Sequence, residues 1–165
     1  LAAGAVIALV AINEYAVTAY ENGAKLIHAV SNARVPQITV IVGASYGAGN
    51  YAMSGRAFGT RFTFVWPLAK IAVMGPKQMA GVMSIVGKAA AERKGIKFDQ
   101  EADAERAKIA EHWAEERSKA IYATSRIADD GMIDPRDTRE VIAICLSTLS
   151  NNTVEGTKEY GTWRM

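Results

Sequence analysis

The run Gln37-Ile-Thr-Val-Ile-Val42 is β-branched at every position after the first, and it leads directly into a stretch with glycine at positions 43, 47 and 49. A short apolar run of this kind reads as a buried strand. The glycines behind it let the chain turn where a Cβ would obstruct. Tyr51-Ala-Met-Ser-Gly-Arg-Ala57 then has helical composition despite Gly55. A strand, a glycine turn and a helix in immediate succession make up one unit of an α/β domain, and that unit governs how the rest of the chain can be arranged.

Upstream, Glu14 to Asn32 reads as a helix, because Ala24, Ile27 and Val30, with Leu26 and Ala29 beside them, recur at helical spacing before Val35-Pro36 stops the segment. Downstream, Phe62-Thr-Phe-Val-Trp66 and Lys70-Ile-Ala-Val-Met74 are two further strands. Pro67 parts them, since its fixed φ and missing N–H suit a connection. Gly75-Pro76 starts a helix that runs to about Ala91, and a charged loop around Gly95 follows between Arg93 and Phe98. From Gln100 to Ala128 the pattern is amphipathic, with Ile109, Trp113, Ala120, Ile121, Thr124 and Ile127 near one face. It predicts one long surface helix with a single buried stripe. Asp130-Gly131 breaks that helix, and Asp134-Pro135 with Asp137 opens a last one carrying Val141, Ile142, Ile144, Cys145 and Leu149. The tail from Asn151 has loop composition. No internal repeat or low-complexity segment occurs, and the alternation of short strands with helices makes the fold class α/β.

With 165 residues, half of them apolar, the chain has material for one domain with a sizeable core. Its formal net charge is +2 and its basic residues are scattered among acids, so nothing points to nucleic acid. Leu1 to Ile12 is apolar but falls short of the roughly 20 residues that a membrane span needs. It has no basic region before it and no cleavage site after it, so no signal peptide and no membrane association are expected. The single Cys145 cannot close an internal disulfide, which fits a reducing interior compartment. It reads as a small core residue, as do Phe62 and Trp66 as larger ones. The missing initiator methionine leads us to expect sequence upstream. No set of His, Cys, Asp and Glu has metal-ligand spacing, and no metal site is expected.

Gly43-Ala-Ser-Tyr-Gly47 fits the Gly-x-Ser-x-Gly pattern of a nucleophile elbow, which needs the strand, turn and helix found here. The pattern also needs a base. His28 precedes Ser45, against the chain order of such hydrolases, and His112 sits in the charged helix, where a solvated or packing role suits it. The other use of the turn is its backbone. Small residues at Gly47-Ala-Gly49 let a ligand oxygen approach N–H groups near the helix start, although from the glycines alone a tight turn with close helix packing is the favoured reading.

Further pieces decide between these readings. They are Gly23-Ala-Lys-Leu26, Val35-Pro36 with Thr39-Val-Ile41, Tyr46-Gly-Ala-Gly-Asn-Tyr51, Trp66-Pro67, Ala69-Lys-Ile71, Val73-Met-Gly75, Asp129-Asp-Gly-Met-Ile-Asp-Pro135 with Asp137-Thr-Arg139, and Trp163-Arg-Met165. In this order, from Gly23 to the end, the chain resembles the carboxyltransferase β subunit of biotin-dependent acyl-CoA carboxylases, in its C-terminal domain. The resemblance implies a ClpP/crotonase-like domain over residues 23–165, with a small, mainly parallel sheet and packed helices. It also implies a chemistry in which carboxybiotin, carried on a separate biotinylated protein, releases CO2. The freed ureido nitrogen deprotonates an acyl-CoA, and the enolate captures the CO2. No side chain need act as base; backbone amides hold the oxyanions. Carried over by position, the biotin-side amides are those of Ala48 and Gly49, with Gly47, Asn50 and Tyr51 lining the substrate site, and Ser45 has no catalytic task. Asn50-Tyr51 resembles the methylcrotonyl-CoA or geranyl-CoA type, where acetyl- and propionyl-CoA relatives have Tyr and Asp.

The resemblance further implies partners: a biotin carboxylase and biotin carrier subunit, other copies of the β subunit, and acyl-CoA, in the bacterial cytoplasm or the mitochondrial matrix. Residues 1–22 match poorly, and Pro76 stands where methylcrotonyl-type relatives have glycine. The family's N-terminal, CoA-binding domain is absent from this sequence, so the chain is expected to form half a site and to be inactive alone. Arg56, Arg61 and Lys70 could meet a carboxylate or a CoA phosphate, yet isolated basic residues are usually solvated. Two competitors are a crotonase-type hydratase or isomerase without biotin and a non-catalytic assembly domain. The first needs an acid/base carboxylate near the turn, and no acidic residue occurs between Gly43 and Ala91. Against the second stands the intact Ala48-Gly49-Asn50-Tyr51.

Overall fold

The computed structural model describes residues 6–10, 20–151 and 153. Strands β1 (Val6–Val10), β2 (Gln37–Ile41), β4 (Phe62–Val65) and β6 (Gly131–Met132) form a sheet in the order β1-β2-β4-β6, every pair parallel. Strands β3 (Ala44–Tyr46) and β5 (Lys70–Ala72) make a second, two-stranded parallel sheet. Parallel neighbours need crossovers. These are supplied by α1 (Tyr20–Asn32) between β1 and β2, and by α2 (Gly47–Ala52) with a 3-10 turn at Arg56–Phe58 between β3 and β4. The helices α3 (Pro76–Arg93), α4 (Gln100–Ser118) and α5 (Ala120–Ser125) lie between β5 and β6. A 3-10 turn at Pro135–Asp137 and α6 (Thr138–Leu149) follow β6.

The expected α/β class with a small, mainly parallel sheet is the architecture observed. β2 sits between β1 and β4, and all five of its residues are buried. That explains why its sequence reads as a continuous run rather than an alternating one. Ile41, Val65, Ala69 and Ala120 form the core cluster, with Met53, Trp66, Ile71 and Met132 packed against it. Trp66 thus belongs to the core margin, and its indole Nε1 donates to Thr138 Oγ1 at 3.0 Å, tying β4 to the start of α6.

Local signals account for the helix ends. Pro76 occupies the first turn of α3, and Gln78 turns its side chain back to Gly75 N. Asp99 Oδ1 accepts from the N–H groups of Glu101 and Ala102 at 3.0 Å each, capping α4. α3 and α4 pack on each other, and the Ser84 hydroxyl donates to Asp103 Oδ2 across the pair.

The structure departs from the sequence reading in several places. Val6–Val10 is a strand, where only an apolar segment was read. The first helix agrees with its reading where it is described, Tyr20–Asn32, and residues 14–19 lie outside the described residues. Ala44–Tyr46, read as turn, is the strand β3, and α2 begins at Gly47 and ends at Ala52 rather than spanning Tyr51 to Ala57. Gly131–Met132, read as a helix break, is the edge strand β6.

The largest departure is the helix expected over Gln100 to Ala128. It is interrupted at Lys119, whose extended backbone (φ −60°, ψ 143°) forms an antiparallel bridge with Lys70. Ala120 N donates to Ala69 O at 3.0 Å. The open side of β5 needs partners for its backbone groups, and one helical residue is given up to supply them. The break also removes the single buried stripe. Small residues face inward, with Ser118 and Ala120 at 0% exposure, whereas Ile109, Trp113, Ile121 and Ile127 are 67%, 46%, 66% and 80% exposed.

Candidate functional site

The ladder of β3 with β5 aligns Ala44 with Lys70, Ser45 with Ile71 and Tyr46 with Ala72, and the chain then turns at Gly47. Two facts make glycine necessary there. Its φ is +51°, in the left-handed region, and a Cβ would lie 2.8 Å from the Val73 carbonyl oxygen. The turn is thereby pressed against the end of β5 and opens into α2. All five of the residues singled out in the sequence, Gly47, Ala48, Gly49, Asn50 and Tyr51, fall within α2. Ala48 is exposed and Gly49 is buried. In any helix the first N–H groups have no acceptor within the helix itself.

Ser45 does not face that opening. It is 0% exposed, and its Oγ accepts a hydrogen bond from Asn50 Nδ2 at 2.8 Å. A nucleophile must be reachable by a substrate, and this hydroxyl is sealed within β3. His28 lies on α1, and His112 is exposed on α4 beside Trp113 and Glu116. The elbow pattern is therefore a strand with a buried serine. Asn50 has its amide turned inward as well, and at Gly55 a Cβ would lie 2.0 Å from Asn50 Oδ1.

The basic residues weighed for anion contact are otherwise engaged, except one. Arg56 pairs with Asp130 at 2.8 Å, and Lys70 pairs with Glu115 on α4. Donating a hydrogen bond to Glu115 raises the Lys70 pKa above its ordinary value. Arg61 lines a small polar cavity with Arg34 and Gln37 at the N-terminal end of β2, the end of that strand away from Ile41.

The Asp129-Asp130 pair is a fastening whose role sequence reasoning missed. Asp130 Oδ2 accepts from Thr63 N at 2.7 Å, and Asp130 N donates to Thr63 O at 2.7 Å, so this one residue fastens the N-terminal end of the β4–β6 seam twice over, while Ile133 N donates to Val65 O at 3.0 Å at the other end. Asp129 is 4% exposed; its Oδ2 accepts from the Thr124 hydroxyl at 3.0 Å, and its Oδ1 has no partner among the described residues. Burial pushes the Asp129 carboxyl above the usual aspartate range, while Thr124 and the Gly131 N–H pull it back. The adjacent acids before a glycine were the available signal. Cys145 is buried in α6, and burial first, then the nearby Asp130 charge, raises its thiol pKa. That is an inert core thiol.

Comparison with known proteins places these features in a family. Residues 19–161 match the model of the carboxyl transferase domain. The chain is 48% identical over 145 residues to the probable biotin-dependent acyl-coenzyme A carboxylase beta2 subunit of Mycobacterium tuberculosis, covering 88% of this chain and 27% of that protein. It is 47% identical over 143 residues to the mitochondrial methylcrotonoyl-CoA carboxylase beta chain of Arabidopsis thaliana, covering 87% of this chain and 24% of the relative. Among solved structures, the geranyl-CoA carboxylase beta subunit of P. aeruginosa matches with TM-score 0.73 and 33% identity over 96% of this chain and 31% of that one. The transcarboxylase 12S hexamer matches with TM-score 0.73 and 30% identity over 98% of this chain and 30% of that one. The chain spans about a quarter of the length of the curated relatives it matches. The match covers the β3–α2 turn, the Asp129-Asp130 seam and the helices between them, and on it the chain belongs to the carboxyl transferase domain family.

Proposed function

We propose that this chain is the biotin-side half of a carboxyltransferase that moves a carboxyl group from carboxybiotin to an acyl-CoA. The observation that carries the reading is the Gly47 turn. It is forced open by a positive φ and pressed against Val73, and it leaves two successive amides, at Ala48 and Gly49, beside residues with almost no side chain. A ureido oxygen needs two converging N–H donors and close backbone approach, so the turn fits the group. Bound carboxybiotin supplies the carboxyl group and the ureido nitrogen that acts as base.

What the chain contributes is electrostatic and geometric. The Ala48 and Gly49 N–H groups donate to the oxygen that gains charge. They are pre-positioned by the β3–β5 ladder, so little reorganisation is required as the charge forms. The side chains of Ser45, Lys70 and Arg56 are held by Asn50, Glu115 and Asp130, and they take no proton in this scheme. No acidic residue lies between Gly43 and Ala91, which disfavours a hydratase or isomerase working at the same turn.

The acyl group we assign is of the methylcrotonyl-CoA or geranyl-CoA type. Its support is Asn50-Tyr51 and the identity of 47% to the Arabidopsis methylcrotonoyl-CoA carboxylase beta chain against 36% to a propionyl-CoA carboxylase beta chain of Roseobacter denitrificans. The partners in this reading are a biotin carboxylase and biotin carrier subunit and further copies of the β subunit. The compartment is the bacterial cytoplasm or the mitochondrial matrix. The region equivalent to the rest of the longer relatives would supply the acyl-CoA side.

Ala48→Pro is the direct experiment. Proline is tolerated in the first turn of a helix and deletes one N–H. In the protein isolated with its companions, kcat for carboxyl transfer to methylcrotonyl-CoA should fall by about 10²–10³ with the fold retained, as for loss of one oxyanion donor. Unchanged turnover in a folded variant would remove the Ala48 amide from the mechanism.

A further inference from the structure

A turn made of Gly47, Ala48 and Gly49 has almost no side chain of its own to hold it, and glycine backbone has the most freedom to lose. Two amides that must converge on one oxygen to within a few tenths of an ångström need an outside brace. The neighbourhood contains one. Ser45 is fully buried in β3, fixed by the ladder to β5. From the first turn of α2, Asn50 reaches back and donates from Nδ2 to Ser45 Oγ at 2.8 Å. Gly55 leaves the room that the amide group occupies, since any Cβ there would meet Asn50 Oδ1 at 2.0 Å and the Asn50 carbonyl oxygen at 2.8 Å.

We infer that Ser45 and Asn50 are a positioning pair that sets the direction of the Ala48 and Gly49 amides, with Gly55 as the seat that makes the tie possible. The inference rests on the assignment of those amides as oxygen donors. It changes the role of Asn50 from a residue that lines the substrate to one that acts through the backbone, because its amide is spent on Ser45. A substrate-contacting residue and a positioning residue then differ in what their loss does. Loss of the first raises KM. Loss of the second lowers kcat and leaves the KM for acyl-CoA in place, because a misdirected amide fails only when charge has formed.

The experiment uses the protein isolated from its own cells with its companions, carrying Ser45→Ala, Asn50→Ala, both together, or Ala48→Pro, with thermal unfolding to count folded sites. The pair predicts that each single alanine variant lowers kcat on the order of tenfold at unchanged KM for methylcrotonyl-CoA. It also predicts that the double variant is no slower than the slower single one, because one tie is broken in all three. Should Ser45→Ala not fold, Ser45→Cys, which keeps the shape of the side chain but offers only a weakly accepting sulfur, takes its place with the same loss of kcat expected. Full kcat in the folded alanine variants, additive losses, or a raised KM alone would overturn the pair while a slow Ala48→Pro upheld the amides. Full kcat in Ala48→Pro would overturn both.

Discussion

At the scale of single residues, the site depends on glycines that differ in why they are needed. Gly47 combines φ +51° with a Cβ position 2.8 Å from Val73 O, whereas Gly59 has φ +75° and open space around it. Gly47→Ala should therefore cost on the order of 2–5 kcal/mol, the sum of backbone strain and a clash. Gly59→Ala should cost about 1–2 kcal/mol, strain alone. Urea denaturation of the two variants measures the difference. Asp129 gives a pH prediction. Its folded pKa is raised above 3.8 by burial, so the folded state holds the proton more tightly than the unfolded one. Its contribution to stability is present at and below the ordinary aspartate range and is lost as pH rises through the folded pKa. Relative to wild type, Asp129→Asn should remove a fall in stability just above pH 3.8, so that the variant's curve rises more across that range, and denaturant titrations would show it. A wild-type curve that climbs there more steeply than that of the variant would contradict the assignment.

Among the secondary-structure elements, Lys119 marks where local pattern lost to tertiary demand. The 3.6-residue periodicity of Gln100 to Ala128 gave helix correctly on both sides of the break, but nothing local announces that β5 needs a backbone partner at Lys70. Two neighbours just after that break carry opposite predictions. Ala120→Leu forces extra volume among Ile41, Val65 and Ala69 and should cost about 1–3 kcal/mol. Ile121→Ala, at 66% exposure, should change stability by less than about 0.5 kcal/mol. Equilibrium unfolding of the pair decides whether the core is built from small residues as described. β2, β4 and β5 were legible because their β-branched runs and Pro67 speak locally. β3 and β6 were not, being three and two residues long and defined only by the strands beside them. The turn was legible in composition. The burial of Ser45 was not, because an elbow and a buried strand serine share one pattern until Asn50 is seen to reach it.

For the whole molecule, the chain carries a carboxyl transferase fold over about a quarter of the length of its curated relatives. Our reading makes it the biotin side of a site completed by other polypeptide. The isolated chain should accordingly show no carboxyl transfer to methylcrotonyl-CoA, and an assay with a biotinylated carrier and the chain alone would contradict us by giving full turnover. The exposed apolar side chains at Val82, Ile85 and Val86 on α3 and at Ile109 on α4 fit a chain that works within an assembly. The most direct measurement is the native mass of the particle that contains this chain, isolated from its own cells, with its companions probed by streptavidin. The account predicts a large assembly with a biotinylated subunit. A small particle with no biotinylated companion would contradict it and leave the Ala48 and Gly49 amides without their assigned ligand.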